Sequence, residues 1–167
     1  DSVELRKAYR ALGAGLCEFP CNEATAREAK AAGEAVILGA PNVLRGGSHT
    51  GNLSAAEAVG KKLCNVLTSD YYYPSLLQAP FRLVRDGLCD LAEAWDLVSR
   101  NPAAVVGLDD RGAIATGMRA DLLIVDADSA GVPQVMATVV GGRLALRRGR
   151  GVSDRDPAMV AGAAAAL

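Results

Sequence analysis

Three short polar segments contain the residues whose types and positions could do chemistry. Glu18 follows one apolar run, the segment 39–52 follows a second, and Asp70 follows a third. In folds that alternate strands and helices, reactive groups collect where the parallel strands end. We therefore expect the three segments to lie together at one edge of a sheet.

The segment that follows the second apolar run is the most informative of the three. We predict a long glycine-rich loop over 40–52, which holds Arg45 and the single histidine, His49. Arg45 could form a bidentate pair with a phosphate, and the amides after Gly46 and Gly47 could cradle its oxygens. The alternative is a surface connection that contains a histidine by chance.

A carboxylate directly after an apolar strand suits metal-assisted hydrolysis. Asp70 could bind a metal ion and accept the proton of an activated water molecule. Alternatively, Asp70 interacts with the dipole of a helix that begins near Pro74. Tyr71 could line a substrate pocket or serve only in packing. Glu18 could be a second metal ligand or a salt-bridge partner.

The elements that must position these residues can be read from apolar spacing and capping residues. Apolar residues at helical spacing predict helices over 3–12, 22–32, 74–86 and 90–99, and a further helix that begins at 54. Three of these starts are marked by residues typical of helix beginnings, namely Asn22, Ser54 and Pro74. Continuous apolar runs predict strands over 16–19, 35–39 and 63–68. This alternation is typical of parallel strands covered by helices.

The pattern changes after residue 110. Strands are predicted over 121–126, 134–140 and 143–146, with a tight hairpin turn at Gly141-Gly142. The chain is thus expected to have an α/β region over 1–108, a small β region over 109–150 and a flexible tail over 151–167.

Composition argues against several classes of protein. The formal net charge is −1 and the two signs are interspersed, which disfavours binding to nucleic acid or to a membrane surface. No apolar run reaches the roughly 18–20 residues of a membrane span. The start has no signal-peptide pattern, and the four cysteines lack disulfide or zinc-finger spacing. We expect a cytoplasmic protein.

A familiar pattern lies near the start of the predicted β region. Three segments resemble the closing signature of the amidohydrolase superfamily, namely Asn101-Pro102-Ala103, Gly107-Leu108 and residues 111–126. The resemblance implies an α/β fold, namely the C-terminal part of a (β/α)8 TIM-type barrel plus strands of a small β-sandwich. The implied activity is hydrolysis that depends on a metal ion.

The substrate class is suggested by the polar segments. Three segments resemble the corresponding parts of the diphosphatases of the carbon–phosphorus lyase pathway, which serves phosphonate catabolism. They are Glu18-Phe19-Pro20, the segment 39–52 and Ser69–Tyr72. These enzymes cleave the triphosphate of alpha-D-ribose 1-methylphosphonate 5-triphosphate and release diphosphate. The implied partner is therefore a small phosphorylated sugar. We expect no binding to nucleic acid or to a membrane. Self-association into a homo-oligomer is left open.

The resemblance also implies roles for individual residues. Asp70 would be catalytic and a metal ligand, and Glu18 would be a second metal ligand. The residues expected to bind substrate are Arg45, Gly46, Gly47, Ser48, His49, Asn52 and Tyr71. The implied cofactor is a divalent metal ion, expected to be zinc, with most of its ligands upstream of this chain.

Two rival interpretations stay open. Another amidohydrolase, a deaminase or a cyclic amidase, would act on a C–N bond and release no diphosphate. A catalytically inactive fragment would serve only in binding or assembly. We expect the early His-x-His pair of the superfamily to lie upstream of this chain, and about three of the eight barrel strands to lie within it. With one histidine, the chain is not expected to form a two-metal centre alone.

Overall fold

The computed structural model describes residues 1–47 and 52–148. The chain divides into two compact units, Asp1–Leu108 and a second that begins at Asp109. The first unit mixes helices with a parallel sheet, and the second contains an antiparallel sheet.

Helices and strands alternate through most of the first unit. In chain order they are α1 (Val3–Ala11), β1 (Leu16–Glu18), α2 (Glu23–Ala31), β2 (Ala35–Gly39), α3 (Ala40–Arg45), α4 (Ala55–Gly60), β3 (Val66–Thr68), α5 (Ser75–Arg85), α6 (Leu91–Asp96) and α7 (Arg100–Val105). The predicted helix and strand types are thus found at nearly all of the expected positions.

The three strands form one sheet in the order β1-β2-β3, and both strand pairs are parallel. Cys17 is paired with Val36, and Leu38 with Leu67. All three strands therefore end at the same edge of the sheet. This edge is the one at which the polar segments were expected to meet.

Small side chains let the helices pack closely on this sheet. Ala26 and Ala29 of α2, Ala58 of α4, Ala79 of α5 and Ala94 of α6 are completely buried. Larger side chains such as Val36, Val43 and Leu83 fill the remaining space. Aromatic residues make up only 4% of the sequence, and this core consists mainly of alanine, valine and leucine.

Several helix starts are fixed by side chains that the sequence offers for this purpose. Asn22 accepts a hydrogen bond from the Thr25 amide, and Asp90 accepts one from the Glu93 amide. Ser54 accepts from the Glu57 amide at 3.5 Å. These acceptors satisfy amides that would otherwise lack a partner at the start of a helix.

The predicted loop over 40–52 is wrong in its first half, because residues 40–45 form helix α3. Pro41 lies in the first turn, where a proline costs no hydrogen bond, and Val43 is buried. Gly46 then ends the helix in the left-handed conformation with φ 78°. The third predicted strand is shorter than expected, since only Val66–Thr68 joins the sheet.

The second unit contains β4 (Leu122–Ala127), β5 (Pro133–Val140) and β6 (Arg143–Arg147). They form an antiparallel sheet in the order β4-β5-β6. The turn at Gly141-Gly142 joins β5 to β6, and the Gly141 amide donates to Asp121 Oδ1 at 2.7 Å. The predicted tail over 151–167 lies outside the described residues.

Within the described parts of the chain, no helix combines the length and apolar character that crossing a membrane requires. The four cysteines, Cys17, Cys21, Cys64 and Cys89, are all free thiols.

Candidate active site

Asp70 lies in a tight turn immediately after β3. The Tyr72 amide donates to the Ser69 carbonyl at 3.0 Å, and the buried Ser75 hydroxyl donates to the Tyr72 carbonyl at 2.6 Å. Asp70 itself has a φ of 51°, which is uncommon for a residue other than glycine. The turn holds Asp70 exposed at the carboxyl edge of the sheet.

The carboxylate of Asp70 reaches across the end of β2. A Cβ placed on Gly39 would lie 3.7 Å from Asp70 Oδ2 and 3.2 Å from Cε1 of Phe19. Phe19 follows β1, so residues from three strand ends meet at this point. Phe19 and Gly39 were not among the predicted site residues, although both lie in the segments that carried the resemblance.

Two of the predicted substrate-binding residues are in contact. The guanidinium carbon of Arg45 lies 5.5 Å from the centroid of the Tyr71 ring. Arg45 is exposed, and within residues 1–47 and 52–148 no carboxylate pairs with it. The Arg45 guanidinium is therefore available to bind an anion, and the adjacent Tyr71 ring stabilises its positive charge through a cation–π interaction.

The position of Arg45 follows from the end of helix α3. Arg82 on α5 donates from Nη1 to the Leu44 carbonyl at 3.4 Å, next to the last residue of that helix. Arg82 also pairs with Asp86 at 2.6 Å. The contact between α5 and the end of α3 therefore supports Arg45, and sequence reasoning did not single out Arg82.

The predicted glycine cradle is changed by the helix that precedes it. The Gly46 amide donates to the Val43 carbonyl at 3.3 Å, so it caps α3 instead of facing outward. A contact between Gly46 and substrate stays a prediction, without this amide as its donor. Ser48 and His49 lie outside the described residues.

Gly46 and Gly47 border a cavity of about 490 Å³, together with Asn52. The N-terminal ends of α2 and α4 form its other walls, and its remaining lining residues are Cys21, Asn22, Glu23, Leu53, Ser54 and Glu57. The described lining does not include Arg45, Asp70 or Tyr71. The predicted residues are thus divided between this cavity and the end of β3.

Glu18 is the last residue of β1 and is exposed. The described residues form no salt bridge to it. The first turn of α5 has no acidic residue, and Asp70 precedes that turn, so its interaction with the helix dipole stays a prediction. Both carboxylates offer the oxygen donors that metals accept. Within residues 1–47 and 52–148 there is no group of three or more His, Cys, Asp or Glu side chains that could hold a metal ion. These two residues therefore fit a metal only as part of a larger ligand set.

At the opposite edge of the sheet lies an ion network of two arginines and two glutamates. Arg6 donates to both carboxylate oxygens of Glu34, at 2.6 and 2.7 Å, and Arg10 donates to Glu34 at 2.7 Å. Arg10 also binds both oxygens of Glu28. Hydrogen bonds from Arg6 and then Arg10 lower the pKa of Glu34 from 4.5 to about 2.

Comparison with known proteins agrees with the class of protein that the sequence suggests. Residues 78–145 match the Amidohydrolase family. The chain is 44% identical over 115 residues to the alpha-D-ribose 1-methylphosphonate 5-triphosphate diphosphatase of Escherichia coli (strain K12). That match covers 68% of this chain and 30% of the relative. The resemblance to the amidohydrolases, and to that diphosphatase in particular, is confirmed.

Two solved structures share the fold. The L-hydantoinase (dihydropyrimidinase) of Arthrobacter aurescens has a TM-score of 0.60 at 17% identity, over 90% of this chain and 50% of that one. The D-hydantoinase of Thermus sp. has a TM-score of 0.62 at 16% identity, over 92% and 49%. The predicted fold class, part of a TIM-type barrel with added β strands, is confirmed. The chain spans about half the length of these proteins.

Proposed function

We propose that the protein carrying this chain is a metal-dependent hydrolase that cleaves alpha-D-ribose 1-methylphosphonate 5-triphosphate and releases diphosphate. The name of the Escherichia coli relative supports this substrate. The observation that carries the proposal is local: an exposed carboxylate, Asp70, directly precedes Tyr71, whose ring contacts the exposed cation of Arg45. One edge of the sheet thus offers both a base and an anion-binding group.

In this proposal, water attacks the phosphorus nearest the ribose. The bond between that phosphorus and the oxygen leading to the next phosphorus breaks, and diphosphate leaves with the electron pair. Asp70 accepts the proton of the attacking water, which is the role of a general base. The second product keeps one phosphate on the ribose.

Arg45 binds the negative oxygens of the triphosphate in this proposal. A guanidinium can donate two parallel hydrogen bonds to a phosphate. The Tyr71 ring limits the orientations of the guanidinium, so its charge is directed before substrate binds. Gly46, Gly47, Ser48, His49 and Asn52 remain proposed substrate contacts.

Asp70 and Glu18 would each supply one oxygen ligand to a divalent metal ion, for which zinc is our proposal. When bound, the metal ion would supply Lewis acidity, which lowers the pKa of water and offsets charge on phosphate oxygens. The chain covers 30% of the diphosphatase relative, so the remaining ligands are proposed to come from other parts of the enzyme.

The setting of the protein is part of the same proposal. Four free thiols support a reducing compartment such as the cytoplasm. The proposed partner is the small phosphorylated sugar alone, and self-association into a homo-oligomer is compatible with it.

The proposal is tested by identifying the product released by the intact protein. Purified enzyme with added zinc is incubated separately with the ribose triphosphate and with a cyclic amide such as a hydantoin, and diphosphate and ammonia are measured. We expect diphosphate from the first substrate and no ring opening of the second. Ring opening or ammonia release without diphosphate would instead assign the protein to hydrolysis of C–N bonds.

A further inference from the structure

The end of β2 has a glycine where the backbone does not call for one. Gly39 has φ −81° and ψ 125°, a conformation that any residue adopts. A Cβ at this position would nevertheless lie 3.2 Å from Phe19 Cε1, and a contact this short forces the neighbour to move by a few tenths of an ångström. The lack of a side chain at Gly39 therefore matters for space and not for backbone freedom.

The two groups that share this space are directed into it by unusual backbone conformations. Phe19 has φ 50° and Asp70 has φ 51°, both in the left-handed region that is costly for residues with side chains. The Phe19 amide donates to the Ile37 carbonyl of β2 at 2.9 Å, which fixes the base of its side chain. Such strain persists where surrounding structure imposes it, and it is common at functional sites.

We propose that Gly39 and Phe19 are positioning residues for Asp70. Gly39 leaves room for the Phe19 ring, and the Asp70 carboxylate borders the same space, 3.7 Å from where a Cβ would stand. The ring and the glycine thereby restrict the positions that the exposed carboxylate can take on this side of the turn. This inference rests on the proposed function, in which Asp70 accepts a proton from water.

The first measurement compares three variants of the intact enzyme by steady-state kinetics of diphosphate release. Gly39→Ala should lower kcat about tenfold and leave KM within about twofold, because small displacements of a reacting group slow chemistry more than binding. Phe19→Leu should lower kcat about threefold. In the double variant the added methyl meets no ring, so Gly39→Ala should cause no further loss.

Gly15→Ala is the matched control. A Cβ at Gly15 would have no neighbour within 4 Å, and Gly15 does not have a left-handed φ. Its kinetics and melting temperature should equal those of the wild type. Phe19→Tyr is a second control, because it keeps the ring and should keep kcat. If Gly39→Ala does not fold, the contrast between Phe19→Leu and Phe19→Tyr decides the proposal.

A spectroscopic measurement separates this inference from the proposed function. The ¹³C resonance of the Asp70 carboxylate, assigned by its loss in Asp70→Asn, should shift in Gly39→Ala and stay fixed in Gly15→Ala. If the wild type releases no diphosphate and the resonance still shifts, the proposed function fails and the positioning stands. An unshifted resonance overturns the positioning, as do rate losses that multiply in the double variant or equal losses for Phe19→Leu and Phe19→Tyr.

Discussion

The two edges of the parallel sheet use charged residues in opposite ways. At the amino edge, Glu34 directly precedes β2 and is enclosed by Arg6 and Arg10, with every contact at 2.6 or 2.7 Å. At the carboxyl edge, Asp70 and Arg45 are exposed, and neither has a partner of opposite charge among the described residues. The same residue types are neutralised at one edge and left available at the other.

This difference separates stability from function along a single strand. β2 has five residues, so its first and last Cα atoms lie about 13 Å apart at roughly 3.3 Å per residue. Charges that pair tightly hold α1, α2 and the start of β2 together but cannot bind a substrate. Charges without partners contribute little to stability and can bind an anion or a metal ion.

The largest expected effect comes from removing the charge of Asp70. Asp70→Asn in the intact enzyme should lower kcat for diphosphate release about 1000-fold, because a general base contributes roughly that factor. The free energy of unfolding should stay unchanged, since Asp70 is exposed. Stopped assays of diphosphate and urea unfolding measure the two quantities, and near-normal turnover would remove Asp70 from the mechanism.

At the amino edge we expect the opposite pattern, a loss of stability with an unchanged kcat. Glu34→Gln leaves buried Arg6 without its counter-charge and should lower the free energy of unfolding by about 3 kcal/mol. The kcat of the folded fraction should not change. The control is Glu23→Gln, because the pairs of Glu23 with Arg27 and Lys61 are exposed and contribute far less. Equal destabilisation by both variants would contradict the distinction between the two edges.

The dependence of stability on pH should come from the same network. Because the pKa of Glu34 is lowered to about 2 in the folded state, its stabilisation is complete above pH 4.5 and is lost as the pH falls towards 2. Urea unfolding between pH 6 and pH 2.5 should show that the difference between wild type and Glu34→Gln shrinks over this interval. A constant difference would mean that Glu34 does not titrate as proposed.

The smallest expected effect concerns the ring beneath Arg45. An exposed cation–π contact contributes roughly 0.5–1 kcal/mol, so Tyr71→Leu should raise KM for the triphosphate about threefold. Tyr71→Phe keeps the ring and should leave KM unchanged. If both substitutions raise KM equally, the hydroxyl matters and the ring contact does not.

The parts of the fold that depend on neighbours in sequence were predicted well. The strands at 16–18 and 35–39 and the helix starts at Asn22, Ser54 and Asp90 follow from apolar runs and capping side chains. Helix α3 was missed because the glycines after it suggested a loop, whereas burial of Val43 and the contact with α5 favour a helix. Tertiary packing overrode local composition there.

The sequence by itself determined the class of fold and the segments that carry chemistry, because apolar periodicity and strand-end polar residues are local patterns. Only the tertiary structure decided which of these residues meet. Arg6 and Glu34 are 28 positions apart, and Phe19, Gly39 and Asp70 come from three different strand ends. Their contacts depend on strand register and on left-handed backbone at two residues, and neither feature is encoded in spacing along the chain.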